Sequence, residues 1–142
     1  MAKFIQLNRL IVLFIGIGLL VLAFEVYLMH YDQLPTKKIM WTPVVFGIIG
    51  GASVILISFI FNRISYYLFL VIMMISICVG VLGLYLHNRW RFHAFADTLF
   101  LHKPFDFEIL TTYTPLLAPS AFITIGGLGI IVALFERWDK RV

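Results

Sequence analysis

Charged residues are scarce in this sequence. Of its 142 residues only 13% are Asp, Glu, Lys or Arg, whereas 62% are hydrophobic. A soluble domain has about 25% charged residues, and a small domain needs polar residues to cover a surface that is large relative to its volume. The scarcity excludes an ordinary soluble domain and predicts that lipid surrounds most of the chain.

Cysteines and recognisable catalytic motifs are also lacking. Cys78 is the single cysteine, so the chain cannot form an internal disulfide. The sequence has no phosphate-binding loop, no dinucleotide-binding fingerprint and no nucleophile elbow. Its net charge of +4 is spread along the chain without a basic helix, which argues against nucleic-acid binding. We therefore do not expect an enzyme.

Long apolar runs are what the sequence has in abundance. A helix needs about 20 mainly apolar residues to cross a membrane, and backbone groups in lipid must hydrogen-bond internally. Residues 1–142 are predicted to form one transmembrane domain, an all-α polytopic four-helix bundle. Its predicted spans are about 10–29, 43–61, 65–86 and 116–135.

The longest connection between spans is unusually apolar. It is the predicted outer loop between the third and fourth helices, residues 87–115. Within it Phe92, Phe95 and Leu99 recur at helical spacing, and Pro104 would end a helix. We predict a short amphipathic helix lying in the membrane interface. It would cap the bundle or, alternatively, act as a lid or a docking surface for another subunit.

Small residues indicate where the helices touch. Glycine allows two backbones to approach closely in lipid, and internal packing is the expected use here rather than contact between molecules. The predicted packing glycines are Gly47, Gly51, Gly80, Gly83, Gly126 and Gly127. The serines of the second and third spans are expected to hydrogen-bond back to their own helices. These are Ser53, Ser58, Ser65 and Ser76.

A single carboxylate interrupts the first span. Glu25 follows an apolar run and lies five residues before His30, where the first helix is predicted to end. Five residues of helix place it about 7 Å below that end. An ionisable group inside a membrane needs a partner or must bind a proton, and such groups are functional candidates by default.

Other titratable groups gather on the predicted outer side. The four histidines all fall there, at positions 30, 87, 93 and 102. One interpretation is structural: Glu25 forms an ion pair with Arg89 or Arg91 and ties the loop to the first helix. A second is proton handling by Glu25 with a neighbouring histidine.

A third interpretation is ligand binding. His30 and His87 end two helices at similar depth, so both could hold one haem b iron across the bundle. A transition metal held by Glu25, His30, His87 and His93 is the other form of this hypothesis. The sequence has no haem attachment motif, and the identity of any cofactor stays open.

The leading function hypothesis is a non-catalytic subunit or accessory of a larger membrane complex. Its expected partners are membrane lipid and other membrane-protein subunits, because the chain has little room for a transport path of its own. The alternative is a haem- or metal-binding redox subunit with its site at the outer ends of helices 1 and 3. Arg9 and the basic residues of the C-terminal segment lie at span ends and favour both termini on the cytoplasmic side. The expected location is a bacterial inner (plasma) membrane.

Overall fold

The computed structural model describes residues 2–60, 62–101 and 117–135, and this part of the chain is helical apart from short connections. A 3₁₀ turn at Lys38–Met40 leads into the second helix. The α-helices are α1, Ala2–His30; α2, Trp41–Phe59; α3, Arg63–Leu101; and α4, Leu117–Phe135.

Four helices in the described ranges are long and apolar enough to cross a membrane, which confirms the predicted set. Their spanning parts are Asn8–His30, Lys38–Phe59, Arg63–Arg89 and Ala118–Phe135. The outward face of α1 shows why lipid suits them. Its exposed side chains follow helical spacing: Leu10, Phe14, Ile17, Val21, Phe24 and Leu28. An apolar stripe of this length would be costly in water and is natural in lipid.

The helices associate as two close pairs, α1 with α2 and α3 with α4. Smaller contacts between α1 and α4 and between α2 and α3 join the pairs into a bundle, in which α1 and α3 lie on a diagonal. The largest fully buried side chains fill the centre: Leu19, Phe69, Met73 and Phe122. We call the end of the bundle that carries His30 and His87 the histidine end.

Glycines set the spacing of the α1–α2 pair. A Cβ added at Gly47 would lie 2.9 Å from the Leu19 carbonyl oxygen, and one at Gly51 would lie 2.8 Å from the Gly16 carbonyl oxygen. Real Cβ atoms essentially never come this close to another atom, so a larger residue at either position would force the helices to shift. Gly16, which the predicted set omits, faces the backbone nitrogen of Ile55 in the same way, at 2.9 Å.

The α3–α4 pair also has contact glycines on both of its helices. A Cβ at Gly80 would lie 2.6 Å from the Pro119 carbonyl oxygen, and one at Gly126 would lie 2.7 Å from that of Met73. Gly83 lies against the Pro119 ring, where a Cβ would be 3.2 Å away. Two further glycines differ from the prediction.

A Cβ at Gly127 would meet no atom within 4 Å, so this predicted packing glycine faces open space. At Gly129 a Cβ would instead collide with the Met73 side chain. Helix periodicity explains the difference, because only positions three or four residues from Gly126 share its face.

The serines divide between local and tertiary hydrogen bonds. Ser58 donates to the Ile55 carbonyl oxygen of its own helix at 2.6 Å, as expected. Asn62 caps the start of α3, because its side-chain oxygen accepts hydrogen bonds from the Ser65 backbone nitrogen at 2.8 Å and from the Ser65 hydroxyl at 2.9 Å. The expectation is wrong for Ser76, whose fully buried hydroxyl donates to the Phe122 carbonyl oxygen of α4 at 2.8 Å.

The predicted separate amphipathic helix is not confirmed, because α3 continues without a break through residues 90–101. The sequence contains neither proline nor glycine between Gly83 and Pro104. Nothing local therefore stops the helix where its apolar span ends. The predicted end of the third span at residue 86 marks a change of polarity rather than a helix terminus. Residues 102–115 of the predicted outer loop lie outside the described residues.

Candidate site at the histidine end

Two histidines meet across the bundle diagonal. His30 is the last residue of α1, and His87 lies on α3 just before its spanning part ends. Their ring centroids are 5.5 Å apart, and the ring planes are inclined by 54°. Both side chains are half-buried. The two close helix pairs thus touch through imidazoles at this end.

The tautomer of His30 follows from its hydrogen bond. Its Nδ1 lies 3.0 Å from the Val26 carbonyl oxygen, one turn earlier in α1. A carbonyl oxygen only accepts hydrogen bonds, so Nδ1 must carry the hydrogen. In the neutral ring Nε2 is then the unprotonated nitrogen with a free lone pair. A backbone carbonyl that orients an imidazole in this manner is typical of metal-binding histidines.

Glu25 lies on the outer surface of α1 rather than in the bundle interior. It is exposed and lies five residues inside the spanning part of α1, which ends at His30. The apolar side chains around it are exposed as well: Val21 59%, Phe24 63%, Leu28 57% and Met29 67%. Its carboxylate is therefore set in an apolar surface about 7 Å from the end of the span.

Helix geometry separates Glu25 from the histidine pair. Five residues correspond to a rotation of about 140° between the side chains of Glu25 and His30.

The structure therefore does not bring all four predicted metal ligands together. Among the described side chains no group of three or more histidine, cysteine, aspartate or glutamate residues could hold one ion. His30 and His87 are adjacent, whereas Glu25 is on another face of α1. His93 is exposed, and its six-residue separation from His87 rotates it about 120° around α3.

The predicted ion pair of Glu25 remains a prediction. No described residue hydrogen-bonds to or forms an ion pair with the Glu25 carboxylate, and that includes Arg89. The side chain of Arg91 lies outside the described part of the chain.

Aromatic side chains border the histidine end on the side of α2. Tyr27 contacts Tyr31 and Trp41, with ring centroids 5.7 Å and 6.4 Å away. The Trp41 indole nitrogen donates to the Leu34 carbonyl oxygen at 3.2 Å. Together with Asp32 and Pro35 these residues line a shallow depression of about 330 Å³. Amphipathic aromatic rings of this kind mark the interface between lipid and water.

Sequence reasoning missed two parts of this arrangement. The orientation of His30 by Val26 was readable in principle, since the four-residue spacing puts the carbonyl within reach of the ring. The diagonal placement of α1 and α3 could not be predicted from the sequence, because apolar periodicity does not indicate which helices become neighbours.

Comparison with known protein families found no family model that matches the chain, and comparisons with curated proteins and with solved structures found no match either.

Proposed function

We propose that the protein is a non-catalytic subunit or accessory of a larger membrane complex. The observation that carries this proposal is the exposed carboxylate of Glu25 in the apolar surface of α1. Ionisable groups inside membrane spans are costly and almost always face protein or water. A neighbouring membrane helix that donates a hydrogen bond or a positive charge at this depth would satisfy Glu25.

The long third helix supports the same function. α3 extends twelve residues past Arg89, where its spanning part ends. Twelve helical residues correspond to about 18 Å beyond the span. Near its tip Phe100 is 75% exposed. An apolar side chain at the end of a projecting helix is suited to contact with another protein or with the lipid surface.

The proposal includes an orientation and a location. We assign the protein to a bacterial inner membrane with both termini on the cytoplasmic side, which sets the histidine end outside. Arg9 and Arg63, both near the opposite end, support this orientation through the preference of Lys and Arg for the cytoplasmic side. Alkylation of single-cysteine variants in intact cells tests it.

Purification from native membranes tests the proposed function. The full chain carrying an affinity tag is isolated in mild detergent as wild type, Glu25→Gln and Asp32→Asn. Asp32 is the matched control, because it is an exposed carboxylate just beyond the end of α1. We expect the wild type and Asp32→Asn to retain one membrane partner in stoichiometric amount. With Glu25→Gln, the amount of partner retained should fall by about tenfold or more.

Two results would overturn the proposal. One is a wild-type protein that purifies alone from native membranes at all detergent strengths. The other is a partner retained equally by Glu25→Gln and the wild type, since Glu25 would then not lie at the contact.

A second candidate function is that of a redox subunit with haem or a metal at the histidine end. The contact between the His30 and His87 rings favours it, because two imidazoles at one place can supply two ligands to an iron or to another transition metal. An absorption spectrum of the purified wild type tests the haem form. A Soret band that is lost in His87→Ala would establish haem, and a wild type without a chromophore would remove it.

A further inference from the structure

We propose that His30 and His87 form an open two-imidazole site for a single first-row divalent metal ion, of the class of Zn²⁺ or Cu²⁺, rather than a haem site. The inference shares its two residues with the second candidate function but requires neither redox chemistry nor a partner subunit. It rests on the ring separation, the His30 hydrogen bond and the position of the pair between the helix pairs.

The ring separation is compatible with a bent metal centre. A metal–nitrogen bond of about 2.0–2.1 Å, together with about 1.1 Å from that nitrogen to the ring centre, sets each centroid about 3.2 Å from the ion. Centroids 5.5 Å apart then subtend about 120° at the ion. This angle falls in the range of trigonal and tetrahedral centres.

Haem requires a different arrangement of the same two rings. Its axial ligands lie on opposite faces of the macrocycle, so the two ring centres would be about 6.4 Å apart along a straight line through the iron. The macrocycle must also fit between the rings. The shorter separation of the His30 and His87 rings, 5.5 Å, matches a compact ion instead.

The hydrogen bond of His30 orients its ring for metal binding. Its Nδ1 hydrogen is held by the Val26 carbonyl oxygen at 3.0 Å, so Nε2 is the nitrogen left to bind a metal. Neutral imidazole nitrogen suits zinc and copper among the first-row ions, and copper binds such sites most tightly.

The coordination sphere would be completed by water. No third potential ligand of the histidine, cysteine or carboxylate type joins the pair among the described side chains. A tetrahedral ion held by two protein nitrogens keeps two positions for water, whereas a catalytic zinc ion with three protein ligands keeps one. The site is consequently expected to be exchangeable rather than permanently filled.

The position of the site gives metal binding a structural consequence. His30 belongs to the α1–α2 pair and His87 to the α3–α4 pair, and contacts between the pairs are smaller than those within them. An ion bound by both histidines would link the two pairs across the diagonal. Binding to the folded state alone raises apparent stability in proportion to the logarithm of the ion concentration.

Metal titration of the purified, chelator-treated full chain tests the proposal. We expect Zn²⁺ to raise the Tm in a concentration-dependent manner and Cu²⁺ to give an electron paramagnetic resonance spectrum with coupling to two nitrogens. His30→Ala and His87→Ala should each weaken binding by at least about tenfold. The control His93→Ala, which alters an exposed histidine on the same helix, should leave both signals unchanged.

If an alanine variant fails to fold, the wild-type spectrum still tests the proposal. The number of nitrogens coupled to Cu²⁺ is measured on the unsubstituted protein. The proposal is overturned by coupling to fewer than two nitrogens, by a Tm that does not respond to Zn²⁺, or by a response that His93→Ala removes. None of these results bears on partner retention by Glu25, so the two proposals fail separately.

Discussion

The two close helix pairs solve one packing problem in different ways. In the α1–α2 pair, Gly47 and Gly51 of α2 lie against the Leu19 and Gly16 carbonyl oxygens, and Gly16 of α1 lies against the Ile55 backbone nitrogen. In the α3–α4 pair, Gly80 and Gly126 likewise come from opposite helices, but a buried hydroxyl at Ser76 adds a hydrogen bond between the helices.

This difference shows what drives association in lipid. Apolar side chains gain little from leaving acyl chains for protein, so close backbone approach must supply packing energy. Glycine provides the approach in both pairs. A polar side chain adds a directional bond only where it is buried in the contact, as Ser76 is.

The largest expected effect comes from filling a glycine contact in the α3–α4 pair. Gly126→Ala should lower the free energy of unfolding by about 2 kcal/mol, because its Cβ would lie 2.7 Å from the Met73 carbonyl oxygen. Gly127→Ala is the matched control, with no atom within 4 Å of the new Cβ. It should leave stability unchanged or raise it by up to about 1 kcal/mol through helix propensity. Denaturant titration in detergent micelles measures both, and equal effects would refute the assigned contact.

The next test asks whether the two pairs are independent. Gly51→Ala should cost about 2 kcal/mol on its own, since its Cβ would lie 2.8 Å from the Gly16 carbonyl oxygen. Combined with Gly126→Ala, the two losses should add within about 0.5 kcal/mol, because the sites share no neighbours. A double-mutant cycle by the same titration measures the sum. A much smaller loss in the double variant would mean that the pairs loosen together rather than separately.

The smallest effect concerns the hydroxyl that distinguishes the pairs. Ser76→Ala should cost about 0.6–1 kcal/mol, the usual value of a hydrogen bond between membrane helices. Ser58→Ala, which removes a bond within α2 at 2.6 Å, should cost less because that helix keeps its backbone bonds. Thermal melting of both variants under identical conditions compares them. If Ser58→Ala lowered stability more than Ser76→Ala, the hydrogen bond of Ser76 would not distinguish the α3–α4 pair from the α1–α2 pair.

The end of α3 is a feature that hydropathy did not predict. The apolar run of the third span ends near residue 86, and the prediction placed the helix end there. The structure continues the helix to Leu101. Hydropathy reports which solvent a segment prefers, whereas a helix ends only where the backbone is interrupted. The aromatic spacing at Phe92, Phe95 and Leu99 predicted a separate short helix, whereas these residues lie within the continuous α3.

Only part of the candidate site could be predicted from the sequence. Counting residues from the span ends gave the common depth of His30 and His87. The same count placed Glu25 at a similar depth, because the number of residues along a helix sets the distance along its axis. Rotation about the helix axis is a separate coordinate, and in the structure it turns Glu25 away from the pair toward the lipid-facing surface.

The sequence by itself determined the solvent of this protein and its four helical spans, since lipid-compatible length and composition are local properties of each segment. It also determined which positions were small enough for close approach. Only the tertiary structure decided that α1 pairs with α2 and α3 with α4, that Gly129 rather than Gly127 lies in the contact, and that the two histidines meet. Those outcomes depend on which faces of separate helices fit together, and that fit is a property of pairs of helices rather than of any one segment.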